Sequence, residues 1–295
     1  MIDDAVEKIA NAVLYEGYML YPYRPSAVKN RQRFNFGVLY PREYCEAQTG
    51  ADNWQMQTEC LVLGSGATSL EVRVRFLQMV AEADAQEGVE RAVSIPATLL
   101  SSIEMRSPRQ SFRFAGIDGE LELRSQPLGG ECSKITLVVR NLAGLVDGSG
   151  NREAALLRSL VSVHSILHVV GGEFVSSTDP PEEFRAAVAE CRNLGSWPVL
   201  VGDEDKRDTV LSAPIILYDY PQIASESAGD LFDGTEIDEI LALRILTLTD
   251  AEKLEVRNGD NRARQILERI EMLPPEHFQK LHGALRGLRP NPEAQ

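Results

Sequence analysis

The stretch WQMQTECLVLGSGATSLEVRVRFLQMV, residues 54–80, decides the fold class. Leu70, Val72, Val74 and Phe76 alternate with Glu71, Arg73 and Arg75. That is the pattern of a strand with one face on a core and a charged face outward. The first arm, WQMQTECLVL, is also extended in character, and GSGATS has the glycines and serines of a turn. The expectation is a β-hairpin with its turn at GSGATS.

Further strand-like runs follow: RAVSIPATLL, SFRFAG, GELELRS and SKITLVVRNL, with IDG and PLGG as turn-forming separators. VSVHSILHVVGGEF is β-branched and reads as another strand, as do WPVLVG and TVLSAPIILYDY. So many short strands, without a helix between each pair, argue against βαβ units. They predict an α+β protein with an antiparallel β-rich body, either a sandwich or a rolled sheet.

Helices are predicted around and within this body. Residues 2–13 place Val6, Ile9, Ala10 and Val13 on one face. NREAALLRSL is helical in pattern. STDPPEEFRAAVAECRNLG offers Ser177, Thr178 or Asp179 as a cap, prolines in the first turn and Gly195 as a stop. IDEILALRILTL reads as a helix. TDAEKLEVRNGDNRARQILERIEML begins with a capping-box spacing at Thr249 and Glu252 and has a weak point at Asn258-Gly259. PPEHFQKLHGALRGL is amphipathic. The predicted division is a β-rich body over residues 1–232 and a helical C-terminal extension over residues 233–295.

The chain has 295 residues, 43% hydrophobic and 25% charged, with a net charge of −14. This is ordinary globular composition, and a surface this acidic repels phosphate backbones and anionic membranes. No nucleic-acid partner and no membrane span are expected. The opening MIDDAVEKIANAV lacks the basic and long apolar regions of a signal peptide. Cys45, Cys60, Cys132 and Cys191 are scattered, without CxxC pairs. Reduced thiols in a cytoplasmic protein are the expectation.

Four segments carry candidate chemistry. Tyr21, Tyr23, Arg24, Lys29, Arg31, Arg33, Phe34 and Phe36 form an aromatic and basic block. In isolation it resembles a platform for single-stranded nucleic acid. In a chain this acidic it fits better as a patch that docks an acidic protein segment. His164 and His168 are four apart and share a face on either a helix or a strand. With Glu173 and Asp179 nearby in sequence they could bind zinc, nickel or iron, as a metal-delivery or hydrolase site. HExxH is absent, so two ordinary histidines on a semi-polar sheet face are the plainer reading. His277 and His282 are five apart and do not share a helix face. There is no GxSxG elbow, P-loop or GxGxxG. Cys191, beside Arg192, reads as a small buried residue.

The last segment is LYDYPQIASESAGDLFDGTEIDEIL, residues 217–241. Its carboxylates do not follow the EF-hand spacing. Asp233-Gly-Thr-Glu236 fits an acid-capped helix start. The segment reads as a joint between the β body and the helices; Tyr218, Tyr220, Asp230 and Asp233 are its candidate partner-binding residues under an accessory-protein reading.

Four phrases of this chain carry a resemblance: YEGYMLYPYRPSAVKNRQRFNFGVLYP, GGEFVSSTDPP, WPVLVG and SAPIILYDYPQIASESAGDLFDGTEIDEILALRILTLTD. The chain resembles an accessory protein family encoded beside bacterial nickel–iron hydrogenases, particularly the high-affinity, oxygen-tolerant, actinobacterial type. The resemblance covers most of the chain and brings no active-site residues. It implies a context, hydrogenase assembly or maturation, with a hydrogenase subunit or maturation factor as protein partner. The expectation is a non-enzymatic accessory protein without a cofactor. A metal protein built on His164 and His168 is the alternative.

Overall fold

The computed structural model describes residues 4–15, 37–48, 50, 52–82, 85–145 and 151–222, with scattered positions between 249 and 272. The chain divides into two compact units, Met1–Leu20 with Gln32–Gln222, and Tyr21–Arg31 with Ile223–Gln295.

The first unit is mostly one antiparallel sheet of eight strands. The strands are β1 (Gln55–Glu82), β2 (Ala85–Leu99), β3 (Arg109–Phe114), β4 (Ile117–Gly129), β5 (Cys132–Asn141), β6 (Leu160–Phe174), β7 (Trp197–Leu200) and β8 (Thr209–Ala213). Their order is β3-β4-β5-β1-β6-β8-β7, with β2 also on β1. Two helices precede the strands, α1 (Asp4–Tyr15) and α2 (Arg42–Ala47), and three short ones lie between strands, α3 (Leu100–Arg106), α4 (Arg152–Leu156) and α5 (Arg185–Ala189).

The expected hairpin at GSGATS is not formed. Residues 55–82 are one long strand, and both arms run antiparallel to the same neighbour, β6. A hairpin would have made one arm parallel to it. The register instead jumps: Gly64 pairs with Gly172 and Ser69 with Val170. Five steps along β1 match two along β6, so the extra residues bulge and both strands bend. Glycine permits this by close approach. A Cβ on Gly172 would lie 2.7 Å from the Leu63 carbonyl oxygen. The Thr68 hydroxyl donates to the Gly171 carbonyl at 2.7 Å and ties the bulge down. The true hairpin partner of the second arm is β2, from Ser69↔Leu99 to Glu82↔Ala85. Pro96 is tolerated in β2 because that strand pairs only with β1.

The bend closes the sheet's apolar face on itself. Phe112 of β3 lies in register with Gly119, which pairs with Asn141, beside the start of β1. Phe76 lies some 20 residues further along β1, about 70 Å away if the strand were straight. Yet the Phe76 and Phe112 rings sit 5.7 Å apart, and Phe114 is 5.9 Å from Phe76. The even-numbered residues Leu70, Val72, Val74 and Phe76 are buried with Leu121, Leu123, Leu137 and Leu167 in one core. Each such side chain contributes about 1.5–3 kcal/mol by leaving water. The IDG turn is also displaced. The chain turns at Ala115–Gly116, and Gly119 lies inside β4, where a Cβ would collide with the Phe112 ring.

α1 covers the opposite face of β6. Val6, Ile9, Ala10 and Val13 pack with Ile166, Val199, Val201, Leu211 and Ala213 in a second cluster. The long helix expected over STDPPEEFRAAVAECRNLG shrinks to a 3-10 turn, Glu182–Phe184, and the short α5. Its N-cap position is Pro181, with no side-chain cap. Contacts at both ends compete with the helix. Thr178, one of the expected caps, donates to Asp219, as does Ser176, whose hydroxyl oxygen also accepts the Thr178 and Asp179 N–H groups. At the other end, Glu59 accepts the Arg192 N–H at 2.8 Å, which draws the chain onto β1.

In the second unit, the described positions Asp250, Lys253, Leu254, Arg257, Arg264, Leu267, Glu268 and Glu271 are helical. Glu271 accepts from Lys253 at 3.2 Å and from Arg257 at 2.6 Å. On one straight helix the Arg257–Glu271 separation would be about 21 Å. These positions therefore do not lie on one straight helix. The helices expected over IDEILALRILTL and PPEHFQKLHGALRGL lie outside the described residues.

Candidate functional site

His164 and His168 both lie on β6, on the face toward α1, but in different surroundings. His164 is fully buried, and its Nδ1 is 3.1 Å from the Ser162 carbonyl oxygen. That carbonyl can only accept, so the proton sits on Nδ1. Nε2 is left buried without a hydrogen-bond partner. Burial first, and then the guanidinium of Arg75, hold the ring neutral by lowering its pKa from 6.5 to about 3. The hydrogen bond to Ser162 works the other way, and Arg73 adds to the lowering.

The local backbone accounts for this placement. Between Arg75↔His164 and Leu77↔Val161 the register shifts, and Ser162 takes a left-handed φ of 53°. The bulge frees the Val163 N–H, which donates to Gly37 at 3.1 Å. The Ser162 hydroxyl turns outward and donates to the Val13 carbonyl of α1 at 2.9 Å.

Arg75, directly opposite His164, is only 3% exposed at its side chain. Its guanidinium donates to Glu7 and Asn11 on α1 and to Glu90 on β2. Arg73 donates to the same Glu7. These contacts clamp α1 to the sheet. Sequence reading placed Arg73 and Arg75 on a charged outer face; α1 in fact covers that face.

His168 is half-buried. Its Nδ1 lies 3.0 Å from the Thr209 hydroxyl and 3.9 Å from Asp208. Glu173 pairs in register with Leu63, beyond the bulge, whereas His168 pairs with Glu71. Asp179 is exposed in the loop after β6, where its N–H donates to Ser176. The strand thus spreads His164, His168, Glu173 and Asp179 along its length and past the bend. Among the described residues no group of three or more His, Cys, Asp or Glu side chains is placed to hold a metal ion.

Burial pushes the Cys45 and Cys191 thiols up to about 11, and raises those of Cys60 and Cys132. At neutral pH these are thiols, not nucleophilic thiolates.

The segment after β8 is better organised than its sequence suggested. Asp219 accepts from the Ser176 hydroxyl, from the Thr178 hydroxyl at 2.7 Å and from the Leu200 N–H at 2.8 Å. The Tyr220 N–H donates to the Leu200 carbonyl at 2.7 Å, and its hydroxyl to the Lys206 carbonyl at 3.1 Å. After β8 the chain therefore comes back to the end of β7 at Leu200. Ile215 and Leu217 turn inward against the α1 cluster. Ile216 and Tyr218 turn outward and are 74% and 84% exposed. The two tyrosines paired by sequence thus separate: Tyr220 packs against the main core, and Tyr218 is free. Trp197 on β7 is also 43% exposed.

Tyr21, Tyr23, Arg24, Arg31, Arg33, Asp230 and Asp233 lie outside the described residues. Arg75, Asp219, Ile216 and Trp197 were not singled out from sequence. The alternation in Ile215-Ile216-Leu217-Tyr218 was a readable signal for Ile216. Nothing local marked Arg75 or Asp219, whose partners are distant in the chain. No helix among the described residues is long and apolar enough to cross a membrane, which leaves β-barrels unaddressed.

No protein-family model matches the chain, and no curated protein matches it either.

Proposed function

We propose that this chain is a non-enzymatic accessory or scaffold protein, acting in the cytoplasm through protein–protein contacts during assembly or maturation of a nickel–iron hydrogenase. The hydrogenase context comes from the resemblance of its sequence phrases. The observation that supports a binding role is the outward pair Ile216 and Tyr218. Two large side chains, Ile216 and Tyr218, stand exposed on a segment that Asp219 bonds to Ser176, Thr178 and Leu200, and exposed aromatics are characteristic anchors of interfaces. The same segment, SAPIILYDYPQ, lies within the resemblance. The basic block at 21–36, the acidic loop at 219–239 and the predicted helical extension at 233–295 supply further contact surface in this reading.

Co-expression of the tagged full chain with the large and small subunits of a nickel–iron hydrogenase tests it. Recovery of a subunit or its precursor is expected. Failure to recover any subunit or maturation factor from hydrogenase-producing cells overturns the proposal.

A further inference from the structure

The edge strip that carries Ile216 and Tyr218 has a chemistry that selects its occupant. We infer that it docks an extended partner segment in which basic residues alternate with apolar ones. This deepens the binding role proposed above and rests on it.

The strip has three properties. Its side chains alternate, Ile215 and Leu217 inward and Ile216 and Tyr218 outward, and the Tyr220 N–H reaches the Leu200 carbonyl of the edge strand β7, a place where an incoming strand can add. Its outward side chains are apolar and hardly covered, at 74% and 84% exposure for Ile216 and Tyr218. Its flanks are acidic. Asp219 ties one flank, through Thr178, to the loop that carries Asp179, Glu182 and Glu183. Tyr220 ties the other, through the Lys206 carbonyl, to the turn Asp203-Glu204-Asp205.

Some of those charges are already matched within the chain. Glu182 pairs with Arg185, and Asp203 with Lys206. Asp179, Glu183, Glu204 and Asp205 have no ion pair among the described residues, and all four are exposed. A second copy of this acidic chain would bring like charge against them, whereas a basic segment would be steered in. The apolar strip supplies anchorage and the acidic flanks supply selection.

The test uses the full-length chain and fluorescent peptides. One is Lys-Val-Lys-Phe-Lys-Val-Lys-Phe. The second carries Glu in place of Lys, and the third carries Ser in place of Val and Phe. Polarisation titrations should show the first binding at least about tenfold tighter than either other, and weakening as salt rises. The double variant Ile216→Asp with Tyr218→Asp should lose that binding while its melting curve stays unchanged, since both side chains are exposed. Glu204→Lys with Asp205→Lys should shift preference toward the Glu peptide.

Equal or tighter binding of the Glu peptide overturns the inference, as does undiminished binding by the Ile216/Tyr218 variant. So does a concentration-dependent dimer that this variant abolishes, which would make the occupant a second copy. The two proposals fail separately. If the Ile216/Tyr218 variant captures a hydrogenase subunit as well as the unaltered chain does, the strip is wrong and the accessory role stands. If the unaltered chain captures none, the accessory role falls and the peptide titrations still decide the strip.

Discussion

Acidification should weaken this fold through His164, by an amount that can be worked out. The ring is fully buried, carries no solvent contact, and faces the Arg75 guanidinium. Its pKa falls from 6.5 in the unfolded chain to about 3 in the folded one. The unfolded chain therefore takes up the proton first. Stability from the neutral ring is complete above about pH 6.5 and is lost progressively as pH falls toward about 3. At about pH 5 roughly 1.5 pH units of protonation separate the two states, which is about 2 kcal/mol, or a factor of about 30 in the folding equilibrium. At about pH 7.5 this loss is close to zero. Urea titrations across this range supply the assay, comparing the chain with His164→Leu. The variant will differ in absolute stability, because it leaves the Ser162 carbonyl without its donor. The informative quantity is the difference in pH slope, which should be steeper in the unaltered chain by about 2 kcal/mol between about pH 7.5 and about pH 5. Parallel slopes, or a His164 ring seen by NMR to titrate near its ordinary value, would refute the reasoning.

Three further outcomes follow from the contacts. Arg75→Met removes the buried cation that bonds Glu7, Asn11 and Glu90, while Glu7 keeps Arg73 and both carboxylates stay partly solvated; a loss of about 1–3 kcal/mol is expected in chemical denaturation, with early hydrogen exchange in α1. Asp219→Asn keeps the shape but weakens three charge-assisted bonds; a cost of about 1–3 kcal/mol is expected, and Tyr220 fluorescence should report loosening of the segment. Gly172→Ala places a methyl group 2.7 Å from the Leu63 carbonyl oxygen. Because the obstacle is backbone, a loss of about 1–3 kcal/mol is expected by thermal melting, whereas unchanged stability would contradict the bend at this point.

Period-two alternation in β1 exposed the antiparallel class, because burial on one face leaves a local mark at every second residue. What it could not show is which arm pairs with which. GSGATS has the composition of a turn, yet whether such glycines reverse a chain or let two bent strands touch depends on β6, about 100 residues away in sequence. The α1 face was legible for the same reason as β1: Val6, Ile9, Ala10 and Val13 repeat at helical spacing. The helix over STDPPEEFRAAVAECRNLG was overestimated because Thr178, one of its expected caps, bonds Asp219 and its last turn is held by Glu59, both distant partners. The histidine pair shows the same limit. Spacing put His164 and His168 on one face, correctly, but only the fold revealed that one lies against Arg75 and the other against Thr209. Tyr218 and Tyr220, two apart, share a side by simple alternation, but a bend at Asp219–Tyr220, with Tyr220 at a left-handed φ of 55°, separates them.

The central claim is contact between this chain and a hydrogenase subunit through the exposed edge strip. Incorporation of p-benzoyl-phenylalanine in place of Tyr218, followed by photolysis in cells that produce both proteins, tests it most directly. The account predicts a covalent adduct containing this chain and a hydrogenase subunit or its precursor, absent when Ile216→Asp is combined with the probe. Photolysis that yields no such adduct, in cells where the hydrogenase is being assembled, would contradict it.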